Sequence, residues 1–150
     1  MDGTNPTYED VSVCEEWLTY SKFKKWMLNQ EHAGLELDKD IITIGNKLYS
    51  PEHCCFVNRK LNTLLRSRPN NSLTGLPLGV SIRPNGKFKA RIGYNGKTKA
   101  LGDYTTVAEA QSAYNKKKAE LIFQWVIKLE NPRIIDGLQR HIKELQNGLQ

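Results

Sequence analysis

The side chains in this sequence best suited to chemistry are cations spaced two apart. Ser81 and Arg83 alternate with Val80 and Ile82, and Lys87, Lys89 and Arg91 alternate with Phe88, Ala90 and Ile92. Successive side chains of a β-strand point to opposite faces, so this spacing collects polar residues on one face and apolar residues on the other. Ammonium and guanidinium groups donate charge-assisted hydrogen bonds to phosphate oxygens, and an arginine can also grip the edge of a guanine with two parallel bonds. On a third short run, strict alternation places Lys97 and Lys99 on the side of Leu101. Thr98 and Ala100 then take the polar face, and the two lysines reach an anion only from the rim. The sequence carries no Ser-His-Asp arrangement, P-loop or dinucleotide fingerprint. Cys14, Cys54 and Cys55 are odd in number and two are adjacent, which suits neither a disulfide framework nor a zinc knuckle. They read as buried, reduced thiols in a reducing cytoplasm.

The charge distribution points the same way. The net charge is +6, but residues 1–52 hold 5 Lys/Arg against 10 Asp/Glu, whereas residues 53–102 hold 10 Lys/Arg and no acid at all. Fifty residues without a carboxylate form a one-sign field that attracts polyanions. A membrane surface would instead favour a basic helix with an apolar face, and this block carries strand and turn signals. No apolar run approaches the roughly 20 residues of a membrane helix. The start, Met1–Pro6, is acidic and polar rather than a secretory signal. Hydrophobic content of 39% and charged content of 25% belong to a folded, soluble protein. The expected location is the cytoplasm.

The elements that must position these cations follow from the local pattern. Pro84-Asn85-Gly86 separates the first alternating run from the second, and Asn95-Gly96 separates the second from a third that continues through Leu101. Asn-Gly between alternating runs is a strong hairpin signal, because a type I′ turn needs positive φ at both central residues. An antiparallel three-stranded meander is predicted. Its apolar face requires a partner, and Thr106-Val107-Ala108-Glu109 is a capping box that starts a helix carrying Ala110, Tyr114, Leu121, Ile122, Trp125, Val126 and Leu129. Asn131-Pro132 ends that helix and starts another, whose stripe Leu138, Ile142, Leu145 and Leu149 packs on its own core or forms a homodimer contact.

The N-terminal half is less regular. Trp17, Tyr20, Phe23, Trp26 and Met27 suggest a helix from about Ser21. Residues 41–44, a turn at Gly45-Asn46, and residues 53–57 are expected to form a hairpin. Asn58 caps a short helix carrying Leu61, Leu64 and Leu65, completing a small ββα unit. The predicted fold class is α+β, a ββα-containing module followed by a three-stranded sheet packed on a helix. The divisions are 1–66, a polar linker at 67–77, a sheet-and-helix domain at 78–130 and a C-terminal helix at 131–150.

Residues 79–123 resemble an AP2-type DNA-binding domain of phage proteins and plant transcription factors. The matching pieces are Gly79-Val80, Asn85-Gly86-Lys87-Phe88, Ala90-Arg91-Ile92, Asn95-Gly96-Lys97, Leu101-Gly102-Asp103-Tyr104, Thr106, Glu109-Ala110 and Ala113-Tyr114. The preceding segment is similar to phage proteins described as HNH endonucleases with an AP2 domain. That likeness rests on Asn5–Tyr8, Val13–Trp17, Phe23–Met27, Leu37–Ile41 and Tyr49–Val57. The AP2 resemblance implies that the sheet lies in the major groove of double-stranded DNA, with Ser81, Arg83, Lys87, Lys89 and Arg91 at the DNA surface and Lys97 and Lys99 at its rim. Leu78 and Ser81 stand where the family commonly has arginine, a departure that bears on base readout more than on phosphate binding.

The HNH resemblance implies a histidine that activates water, with histidine, aspartate or asparagine ligands for Mg²⁺. Here the corresponding pair reads Asp38-Lys39-Asp40, and a lysine cannot replace a neutral imidazole near pH 7 without a large pKa shift. The remaining candidates for a nuclease are Asp38, Asp40 and His53, with Asn58 and Asn62 as further ligands. His32 and His141 stand apart and are expected at the surface. The leading expectation is a phage-type DNA-binding protein, non-catalytic or weakly catalytic, without a bound metal or other cofactor, acting in the host cytoplasm. The alternatives are a metal-dependent HNH-type homing or nicking endonuclease, and a phage inhibitor that engages a host protein through the acidic half.

Overall fold

The computed structural model describes residues 10–66 and 70–148. Strand β1 (Ser12–Val13) leads through a 3₁₀ turn (Glu15–Leu18) into helix α1 (Tyr20–Leu28), and strands β2 (Glu36–Asp38), β3 (Leu48–Tyr49) and β4 (Cys55–Val57) precede helix α2 (Arg59–Leu65). Strands β5 (Val80–Ile82), β6 (Phe88–Tyr94) and β7 (Lys97–Tyr104) are followed by helices α3 (Val107–Val126) and α4 (Pro132–Asn147). The fold is mixed α+β, with a three-stranded antiparallel sheet in the order β5-β6-β7 and two smaller two-stranded pairings.

The meander forms where the turn chemistry predicts it. Asn95 (φ 54) and Gly96 (φ 71) both take the left-handed conformation, and Gly86 (φ 81) closes the first turn with its N–H donating to the Arg83 carbonyl. Strand β7 runs on past Leu101 to Tyr104, three residues beyond the expected end. The register passes from Ala90↔Gly102 to Arg91↔Ala100, so Leu101 is an extra residue in a bulge. Such a bulge offsets the alternation by one. Gly102 and Tyr104 therefore share the face of Ala90 and Phe88, and Asp103 shares the face of Lys89.

Helix α3 covers the inner face of the sheet. Thr106 Oγ1 accepts from the Glu109 N–H at 3.2 Å and Glu109 accepts in return from the Thr106 N–H, so the capping box is closed. Val80, Ala90 and Ala110 are buried together, and Leu76, Phe88, Leu101, Tyr104 and Ala113 pack around them. Ile82, expected on this packed face, is 59% exposed because β5 ends there, beyond the reach of the helix. Gly79, just before β5, has φ +82, and a Cβ there would meet the Tyr114 ring and lie 2.6 Å from the Arg91 carbonyl. Only glycine lets the incoming chain pass this close to β6 and α3.

In the N-terminal half, Asn58 Oδ1 accepts from the Lys60 N–H at 2.9 Å and caps α2, which buries Leu61 and Leu64. The expected hairpin of residues 41–44 with 53–57 does not form. The antiparallel partner of β4 is β2, in the register Glu36↔Val57, Leu37↔Phe56 and Asp38↔Cys55. Asp38 Oδ1 accepts from the N–H groups of Asp40 (2.9 Å) and Ile41 (2.7 Å), which turns the chain away at the point where a strand was anticipated. Ile41 then enters the core, 1% exposed, and Leu48–Tyr49 pairs in parallel with β1. The ββα arrangement stands with a different first strand.

One core joins the two halves of the chain. Ile41, Cys55, Val57, Leu61 and Leu64 from before the linker are buried with Ile92, Leu121, Ile122, Ile134 and Leu138 from after it. Of the α4 stripe, Leu138 is fully buried and Ile142 and Leu145 pack against this core, while Leu149 lies outside the described residues. Part of the 67–77 linker also lies outside them. Its remainder is ordered by Asn71, whose side chain accepts from the N–H groups of Leu73 and Thr74. Trp17, Phe23, Trp26 and Phe56 form a separate aromatic cluster with ring centroids 4.6–6.1 Å apart. No helix among the described residues is long and apolar enough to cross a membrane.

Candidate nucleic-acid interface

The face of the sheet turned away from α3 is set by the burial of Val80, Ala90 and Ile92 on the opposite side. Alternation then turns Ser81, Arg83, Lys87, Lys89 and Arg91 outward, and a register slip that reversed them would bury three charges of β6 and its turn. Arg83, Lys87 and Arg91 are exposed, and Ser81 and Lys89 are half-buried by their neighbours. Lys89 is bracketed by Ser81 on one side and Asp103 on the other. Lys97 pairs with Tyr94 and Lys99 with Ile92, which puts both lysines on the helix side of the sheet, exposed at its edge. Thr98 and Ala100 take the outward face opposite Gly93 and Arg91.

Asp103 is the residue that alternation alone misplaces. Counted from Leu101 it should point inward, but the bulge turns it out, where its Oδ2 lies 3.6 Å from Arg83 Nε. The outward face is therefore not purely cationic. Arg83 shares its charge with a carboxylate, whereas no carboxylate among the described residues lies within ion-pair distance of Lys87, Lys89 or Arg91. The available signal was Gly102, since glycine inside a strand often marks a bulge. A second omission is Arg66 at the end of α2, which lines one groove with Arg91 although 25 positions separate them in the chain.

The residues expected to serve a nuclease are not brought together. Asp38 is buried at 8% exposure, and its carboxylate is occupied by two backbone N–H groups. Burial, and next the nearby charge of Asp40, push its pKa up to about 6. Asp40 instead meets Lys39 at 3.2 Å. His53 Nδ1 lies 3.2 Å from Thr43 Oγ1, Asn58 is a helix cap, and Asn62 donates to Glu36 at 2.9 Å. No group of three His, Cys, Asp or Glu among the described residues is placed to hold a metal ion.

The two remaining histidines are not the surface residues expected. His141 is half-buried against the Asp40 carbonyl, and burial lowers its pKa. His32 is half-buried too, with Nδ1 3.0 Å from the Gln30 carbonyl and its ring beside Phe56. Cys54 and Cys55 are buried free thiols, pushed up to about 11 and about 12 by loss of hydration, and are poor nucleophiles for that reason. Cys14 is a free thiol as well, but only half-buried. Comparison with protein-family models, with curated proteins and with solved structures finds no match to this chain.

Proposed function

We propose that this chain binds duplex DNA by laying the outward face of the β5-β6-β7 sheet against the major groove, as the AP2-type resemblance implies. The reading is carried by one observation: Lys87, Lys89 and Arg91 share a sheet face, without ion-pair partners among the described residues, while the opposite face is closed by α3. The carboxylate-free run of residues 53–102, to which these three cations belong, supports it, because a one-sign run of charge attracts a polyanion. On this reading, with its resemblance to phage proteins, the binding takes place in the cytoplasm of a host cell.

Each cation that neutralises a phosphate steepens the fall of log K with log salt by about 0.9, so these three give a slope of about −2.7. The test compares two double variants on a random-sequence duplex. Lys89→Ala with Arg91→Ala should flatten the slope by about 1.8. Arg59→Ala with Lys60→Ala also removes two charges but should change it little, because Arg59 sits on α2 with Glu36 3.5 Å away. Equal losses from the two pairs would mean that overall charge, and not the sheet, governs binding.

A further inference from the structure

Strand β5 is shorter than its neighbour. Its pairing with β6 ends at Val80↔Ala90, followed by one last bond from the Arg91 N–H to the Gly79 carbonyl. Beyond that point the sheet opens into a groove of about 470 Å³, walled on its far side by the C-terminal turn of α2. Thr63 and Arg66 reach it from α2, and Arg91, Gly93 and Thr98 reach it from the outward face of the sheet. The lining thus combines two guanidinium groups and two threonine hydroxyls with the side chains of Leu64, Leu78 and Tyr114, and it holds no carboxylate. Neither arginine has an ion pair among the described residues, and both are exposed.

Two unneutralised arginines in one concavity repel each other unless an anion joins them. Planar guanidinium forks suit a phosphate oxyanion, and hydroxyl groups add donors to its remaining oxygens. Three of the groove residues belong to the outward sheet face, so the groove is continuous with the surface on which the duplex is proposed to dock. We propose that this groove is a phosphate site built jointly by α2 and the sheet, and that it takes a backbone phosphate of the bound duplex. The inference rests on the duplex-binding reading above. It extends that reading by bringing the N-terminal half of the chain into the interface through Arg66.

The experiment measures duplex binding against salt for the full chain, Arg66→Gln, Arg66→Lys and Arg59→Gln, with circular dichroism to show that each is folded. Arg66 is exposed and outside the core cluster, so its replacement leaves the core intact. Arg66→Gln should flatten the slope by about 0.9 and weaken binding about eightfold at ~0.1 M salt, while Arg66→Lys keeps the slope. Arg59→Gln, on the same helix, should keep both. If Arg66→Gln and Arg59→Gln behave alike, the groove takes no DNA phosphate and the inference fails while duplex binding stands. If the unmodified chain binds no duplex, both readings fall. A parallel calorimetric titration with inorganic phosphate separates the sources. Saturable phosphate binding that Arg66→Gln abolishes, with the duplex slope unchanged, would overturn the assignment to DNA in favour of a free phosphate ligand.

Discussion

Asp103 stands opposite Lys89 on the outward sheet face, with Oδ2 3.6 Å from Arg83 Nε, and the two side chains are 38% and 42% exposed. If that face meets DNA, the carboxylate opposes binding twice, by repelling phosphates and by engaging a guanidinium that would otherwise meet one. Asp103→Asn keeps the side-chain shape and removes the charge. An exposed ion pair of this kind contributes about 0–1 kcal/mol to folding, so the variant should remain folded. Freeing one cation should steepen the salt slope by about 0.9. Counterion release vanishes as a driving force near ~1 M salt, so at ~0.1 M that slope corresponds to about 0.9 log unit, or roughly eightfold tighter binding. Fluorescence anisotropy with a labelled random-sequence duplex, repeated between about 50 and 200 mM salt, measures both quantities. A random duplex matters because an aspartate can also accept from cytosine, a contact that would confound a selected site. Unchanged or weaker binding by Asp103→Asn, with an unchanged slope, would place the DNA away from this end of the sheet and refute the argument.

Other perturbations test the scaffold and the chemistry. Gly137 lies within α4, where alanine ordinarily stabilises by about 1 kcal/mol. Here its Cβ would press on the Ile41 carbonyl, a backbone atom that cannot swing aside. Overpacking of about 1–3 kcal/mol should therefore prevail, and denaturant melts should find Gly137→Ala less stable. Asp38 has a folded-state pKa raised from 3.8 to about 6, so the folded chain binds the proton more tightly than the unfolded chain. Its contribution should favour folding as pH falls from about 6 toward 4 and oppose it above about 6, and Asp38→Asn should flatten that part of the stability profile. Plasmid nicking with Mg²⁺ should stay at background, because the Asp38 carboxylate is already bonded to backbone N–H groups. Cleavage that disappears in His53→Ala would overturn this expectation.

The sheet was legible because its information is local. Alternation with period two, Asn-Gly at the turn and a capping box each act over a few residues, so β6, its hairpin and the start of α3 could be read directly. The polar face of Lys87, Lys89 and Arg91 followed from the same alternation. What depended on contacts distant in the chain could not be read this way. The first strand of the ββα unit was misplaced because Ile41–Ile44 has a strand-like composition. Asp38 bonds the next turn, and the core beneath α4 takes Ile41 instead. The bulge at Leu101 reversed Asp103 because Tyr104 packs inward with Phe88, a cross-strand demand of which β7 itself carries only the Gly102 signal. Local sequence determined which residues alternate, turn and cap, since those preferences are settled by backbone sterics and neighbouring donors. Tertiary structure alone decided that Arg66 lines one groove with Arg91 and that Asp103 meets Arg83, because side chains so far apart in sequence come together only when a shared core or sheet draws their elements together.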